Sequence, residues 1–231
     1  MKLIVAFLGI KGGSGKSTSS QTFAYGVARL GHTSFLMSTD LRRRENKEII
    51  DNRNYIQFDG RNQDDLVERF TEFMAYDEGN ELAVLAIDGG ANETRELDET
   101  LATIADIIGQ DAHQSTLTKQ MVIIPFMRSP DDIDSALIEL TTHKKSFGLP
   151  NRWPTNPMAL KKANRDLEEK LVGFKRRILQ PNYDCNATID LLGDIDVLTA
   201  NSLNRTARAL AIQILEKAGI NPFAKEHSNA A

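Results

Sequence analysis

The feature that most constrains this chain is a unit of apolar run, glycine-rich turn and helical pattern within its first thirty-one residues. Leu3, Ile4, Val5, Ala6, Phe7 and Leu8 form an unbroken apolar run. Such a run suits a strand buried on both faces, the usual state of a strand inside a parallel sheet. Phe23, Val27 and Leu30, with Ala24 and Ala28 between them, then recur at helical spacing, and Gly31 stands where a helix C′ residue belongs. Between the two lie Gly9, Ile10, Lys11, Gly12, Gly13, Ser14, Gly15, Lys16, Ser17 and Thr18. A strand that turns through glycines directly into a helix commits the chain to an α/β arrangement, because the helix has to pack back on the sheet it has just left.

The turn also has a chemistry. Glycines let the backbone approach a ligand closely. Consecutive backbone N–H groups and a helix N-terminus present partial positive charge to an anion. A lysine at 16 adds a full charge, and a hydroxyl at 17 suits a hard divalent cation. The common phosphate-loop spacing, G-x-x-x-x-G-K-[ST], is broken, since Ile10 stands where its first glycine belongs. What fits is K-G-G-x-G-K-[ST]-T, with an additional lysine at Lys11. This resembles the deviant Walker A loop of the ParA/MinD family of ATPases. The resemblance implies a single P-loop NTPase domain over residues 1–220, with a mostly parallel, doubly wound sheet flanked by helices. It implies ATP and Mg²⁺ as cofactors, with Gly12, Gly13, Ser14, Gly15, Lys16, Ser17 and Thr18 around the phosphates. It also implies that Lys11 reaches across an ATP-bound homodimer to the partner's nucleotide.

With 231 residues the chain is long enough for one α/β domain with a full core. The hydrophobic share of 41% and charged share of 26% are those of an ordinary globular protein. A net charge of −4 excludes a globally basic nucleic-acid binder but leaves room for a local basic patch. One cysteine, Cys185, excludes an intramolecular disulfide and a cysteine-cluster metal site, and fits a reducing cytosol. No apolar run approaches the roughly 18 residues that a bilayer span requires. His32, His113, His143 and His227 are scattered and lack metal-ligand spacing.

Further along, residues 33–38 read as a second strand and Tyr55, Ile56, Gln57 and Phe58 as a short third one, closed by Asp59 and Gly60. Residues 64–76 read as an amphipathic helix and residues 82–87 as a strand buried on both faces. Helices are expected over 94–108, 129–146 and 158–177, and a buried strand over 121–124. A loop or short edge strand is expected within the proline-rich stretch 149–157, and a short strand at Ile178 and Leu179. Residues 189–198 are ambiguous. A final helix is expected over 201–218, stopped by Gly219, with a loose polar tail over 221–231.

Ligands of open α/β sheets bind beyond the carboxyl ends of the strands. Four such ends are legible, at residues 9–15, 39–40, 88–90 and 125–128. Asp88 closes a strong apolar run and resembles a Walker B aspartate, which holds Mg²⁺ directly or through water. Asp40 matches the second aspartate of the family's Asp-x-Asp switch, which orients the attacking water and stands near the metal. Ser38 replaces the first aspartate, and Leu41 and Arg42 replace the usual Pro-Gln. Pro125 and Asp131 resemble a segment that the family keeps near the nucleobase and dimer interface.

Arg42, Arg43 and Arg44 form one basic cluster, Lys175, Arg176 and Arg177 a second, and Arg205 with Arg208 a third. Lys161, Lys162 and Arg165 share a possible helix face. Each also reads as a solvated surface. The ParA-like resemblance implies nonspecific DNA binding in the ATP state, with Lys175, Arg176, Arg177, Arg205 and Arg208 as contacts. It further implies a ParB-like or other adaptor that stimulates slow hydrolysis, and a cytoplasmic protein that joins the nucleoid when ATP-bound. Two other readings are a helper ATPase of conjugative DNA transfer and a MinD-like membrane-cycling ATPase. The second requires a C-terminal amphipathic membrane helix, and Pro222 and a lone large apolar residue, Phe223, count against it. A metabolic enzyme on the same scaffold ranks third.

Overall fold

The computed structural model describes residues 1–8, 16–38, 55–57, 63–76, 82–89, 121–125, 155–156, 178–179 and 197–223. Its framework is a five-stranded, wholly parallel sheet in the order β3-β2-β4-β1-β5, formed by β1 (Lys2–Leu8), β2 (Thr33–Ser38), β3 (Tyr55–Gln57), β4 (Ala83–Asp88) and β5 (Met121–Pro125). Helices cover it: α1 (Lys16–Arg29), α2 (Gln63–Ala75) and α3 (Val197–Lys217). The fold is therefore α/β. A separate two-stranded parallel pair joins β6 (Thr155–Asn156) to β7 (Ile178–Leu179).

β4 is a later strand inserted between two earlier ones. Its residues 83–88 pair with 2–7 of β1 on one side and with 33–38 of β2 on the other, and all six are buried. The unbroken apolar runs of β1 and β4 reflect that placement, since neither face of either strand meets water. Alternation divides the side chains between two layers. Leu3, Val5, Phe7, Leu36, Val84 and Ala86 join Phe23, Ala24 and Val27 of α1 and Leu210, Ala211, Ile214 and Leu215 of α3 in one cluster. On the opposite face, Phe35 packs edge-on against Phe73 of α2 at 5.5 Å and against Tyr76 at 5.1 Å. There Lys2 Nζ also donates to the carbonyl of Met74. Each large apolar side chain so buried contributes about 1.5–3 kcal/mol.

Both α1 and α3 end on glycine with a positive φ, 84° at Gly31 and 80° at Gly219. At the first, Gly31 N donates to Ala28 O and His32 N to Val27 O. At the second, Gly219 N donates to Glu216 O and Ile220 N to Leu215 O. These are paired Schellman bonds, and the Ile220–Leu215 pair adds its apolar contact within the core.

The elements expected at 33–38, 55–58, 64–76, 82–87, 121–124 and 178–179 all occur, within a residue or two of their bounds. The ambiguous stretch 189–198 resolves at its end, because α3 begins at Val197 rather than 201. The first residues of the expected tail are held in place: Pro222 is buried, and its carbonyl accepts a hydrogen bond from His32 Nε2 at 2.9 Å. The helices expected at 94–108, 129–146 and 158–177, and residues 224–231, lie outside the described residues.

Two glycines separate two physical effects. A methyl group at Gly26 would overlap the backbone carbonyl of Ala207 and stand 3.0 Å from Ala211 Cβ. Gly26→Ala is expected to destabilise by about 1–3 kcal/mol. Ala207→Gly does not rescue it, because the clash is with backbone. Around Gly219 a methyl would meet nothing within 4 Å. Gly219→Ala is expected to cost only the left-handed backbone penalty of about 1–2 kcal/mol. Calorimetric melting of both variants and of the Gly26→Ala/Ala207→Gly pair distinguishes the two causes.

Candidate functional site

The order of strands locates a crevice before any side chain is considered. From β1 the chain passes through α1 to β2, on the β4 side of β1. From β4 it passes to β5, on the β1 side of β4. The outgoing connections of these two neighbours therefore run in opposite directions. In parallel sheets such a reversal opens a ligand crevice at the carboxyl ends of the strands concerned. Those ends are Leu8 and Asp88.

Several expected site residues collect there. Asp88 is level with Phe7 of β1 on one side and Ser38 of β2 on the other. Residues in register on parallel strands project to the same face, and Phe7 belongs to the layer beneath α1, where its ring lies 5.7 Å from that of Phe23. Asp88 and Ser38 consequently project toward the α1 layer, and they are 1% and 0% exposed. Gly89 N donates to Phe7 O at 3.1 Å, so pairing continues one residue past the aspartate and fixes its position. A carboxylate this deeply buried is costly unless hydrogen bonds or a neighbouring positive charge compensate it.

Lys16 is the first residue of α1 and is only 5% exposed; Ser17 and Thr18 are half-buried. Phe23 anchors α1 against β1, so the N-terminus of α1 returns to the sheet end at which β1 finishes. No acidic residue stands in the first turn of α1, which leaves its partial positive charge uncompensated from within the helix. Ser20 Oγ and Thr22 Oγ1 turn back to the carbonyls of Ser17 and Thr18, at 2.9 and 2.6 Å, which keeps buried hydroxyls of the helix satisfied. Pro125 closes β5 in register with Leu8, on the far side of β1 from Asp88.

Lys16, Ser17, Thr18, Asp88 and Pro125 thus share one end of the sheet. Lys11, Gly12, Gly13, Ser14, Gly15, Asp40 and Asp131 lie outside the described residues, as do Lys175, Arg176 and Arg177. Arg205 and Arg208 are exposed on α3, on the layer that α3 shares with α1. Among the described residues no group of three or more His, Cys, Asp or Glu side chains stands together. A divalent cation at this end of the sheet would meet oxygen donors, the Asp88 carboxylate and the Ser17 hydroxyl, which fit Mg²⁺ when phosphate supplies the remaining ligands.

Sequence reading missed how close Ser38 and Phe7 stand to Asp88. The signal was present: three apolar runs ending at equivalent points predict that their last residues line up once the strand order is known. Among known proteins, the sequence matches no protein-family model and no curated protein.

Asp88→Asn preserves side-chain volume and removes the charge. For a Mg²⁺–nucleotide held at this end of the sheet, the expected outcome is unchanged far-UV dichroism and a loss of at least roughly tenfold, about 1.4 kcal/mol, in the Mg²⁺-dependent part of the affinity. Fluorescent-nucleotide titration with and without Mg²⁺ measures this.

Proposed function

We propose that the chain is a P-loop ATPase with a doubly wound sheet, working as a ParA-like switch: it dimerises on ATP, binds DNA without sequence preference, and is reset by partner-stimulated hydrolysis. The observation that supports the reading is that a buried lysine begins α1 and a buried aspartate ends β4, beside β1, at the carboxyl end of the sheet. A cation-bearing helix N-terminus faces phosphate, and a carboxylate beside it suits a metal bound to the same phosphates. The K-G-G-x-G-K-[ST]-T spacing of residues 11–18 narrows the class.

In this reading the N–H groups of residues 12–16 donate to phosphate oxygens, and Lys16 neutralises the β- and γ-phosphates. Ser17 and Asp88 would hold Mg²⁺, with Asp40 nearby. The cation supplies charge neutralisation to the phosphates. Asp40 orients the attacking water and accepts its proton. Lys11 reaches the partner subunit's nucleotide, which makes the dimer conditional on ATP. Pro125 lies toward the base. Arg205 and Arg208, with Lys175, Arg176 and Arg177, contact DNA phosphates, and dimerisation doubles the charge they present. A ParB-like or other adaptor stimulates turnover. Among the described residues no helix is long and apolar enough to cross a membrane. The cargo, whether plasmid, chromosomal region or a conjugative assembly, follows from that adaptor.

The test is to measure oligomeric state and DNA retention with ATP, with ADP and without nucleotide. ATP is expected to produce a dimer that retains random-sequence DNA, and Lys16→Ala to abolish both effects. DNA retention indifferent to nucleotide, or lipid binding in its place, would overturn the reading.

A further inference from the structure

The contact between α1 and α3 carries more than core packing. The C-terminal half of α3 is anchored by Leu210, Ala211, Ile214 and Leu215, followed by Ile220, all within the core cluster. Among the residues before Leu210 whose burial is described, Ala207 is buried, and Asn204, Arg205 and Thr206 are half-buried or exposed. Two contacts with α1 are described there. Gly26 of α1 lies against the backbone of Ala207, so close that no side chain fits between. This backbone-to-backbone seat fixes how closely the two helices approach. The second contact is the Tyr25 hydroxyl, which donates to Asn204 Oδ1 at 2.6 Å. One turn before that seat, this bond ties the side chain of Asn204 to α1. Arg29, whose guanidinium carbon lies 6.0 Å from the Tyr25 ring centroid, covers the ring.

Asn204 adjoins Arg205 and lies one turn before Arg208, the two exposed cations of this face. Tyr25 stands nine residues into a helix whose first residue is the buried Lys16, roughly 13 Å away at about 1.5 Å per residue. The sequence in space is therefore Lys16, α1, Tyr25, Asn204, Arg205 and Arg208.

We infer that Tyr25 is a positioning residue: through Asn204 it fixes the Arg205 and Arg208 face of α3 relative to the N-terminus of α1, so that phosphate held at that N-terminus sets how firmly this face binds a polyanion. The inference rests on the phosphate-binding and DNA-binding reading above. A tyrosine kept only for packing would place its ring as it does here, and phenylalanine would serve equally well. The hydroxyl is the part that reports on coupling.

The experiment uses Tyr25→Phe, Asn204→Leu and Asn204→Asp, the last retaining an acceptor for the hydroxyl. Melting temperature, affinity for a fluorescent ATP analogue, and anisotropy of labelled random-sequence duplex with and without ATP are read for each. Tyr25→Phe and Asn204→Leu are expected to hold nucleotide within about twofold of wild type, yet to lose the ATP-dependent gain in DNA affinity, at least about fivefold for a coupling of ordinary size. Asn204→Asp retains that gain. A full ATP response in Tyr25→Phe, or equal loss in Asn204→Asp and Asn204→Leu, overturns the inference. If wild type binds nucleotide but no DNA, the DNA reading fails on its own, and amide exchange over 205–217 decides the coupling. Protection by nucleotide in wild type that Tyr25→Phe loses supports it; equal or absent protection overturns it. A wild type that binds no nucleotide overturns both.

Discussion

The insertion of β4 between β1 and β2 is the constraint on which the remainder depends. Both edges of β4 are fully paired, and both its faces are covered, so it has no freedom of register. A slip of one residue would move Asp88 to the opposite face and bring its neighbours out of their layers. The same ladder fixes α1, because the helix must span from the end of β1 to the beginning of β2 across the strand that lies between them. The place of the candidate site is thus a consequence of sheet connectivity, and the residues at strand ends inherit it.

The two layers on the sheet differ in how they are sealed. The α2 layer relies on aromatic edges, with Phe73 and Tyr76 set against Phe35. The α1 and α3 layer relies on close backbone approach at Gly26, with branched side chains filling the cluster around it. It is closed at its far end by His32, which ties the segment after α3 to the segment after α1 through Pro222. His32 Nε2 must carry the proton of that bond, since a carbonyl only accepts. The layer that faces the candidate site therefore combines a close helix seat with a buried hydrogen bond at its far end.

Much of this was legible in the chain. Apolar runs bounded by polar or glycine residues marked β1, β2 and β4 because strands buried on both faces need no alternation. Gly31 and Gly219 marked helix ends because only glycine takes the left-handed conformation without cost. The loop residues 11–18 carried the resemblance on which the proposed function rests, and 11–15 of them lie outside the described residues. The start of α3 was not legible. Its first turn, Val197–Ala200, follows a mixed acidic and apolar stretch whose period fits strand or helix equally, and contact with α1 lies beyond the reach of local pattern. The ordered position of Pro222 was equally hidden, since a polar, proline-bearing segment reads as a tail until a buried histidine is found to hold its carbonyl.

The sequence by itself determined the local elements, their caps, and the chemical types available at the strand ends: a lysine and hydroxyls at the start of α1, and a carboxylate at the end of β4. Those follow from short-range periodicity, from backbone sterics at glycine, and from the side chains themselves. Only the tertiary structure decided that β4 lies between β1 and β2, that Asp88 therefore stands beside Ser38 and Phe7, and that Tyr25 meets Asn204 across 179 positions of chain. Strand order and helix pairing are set by which buried surfaces complement one another, a property of the folded whole that no window of residues contains.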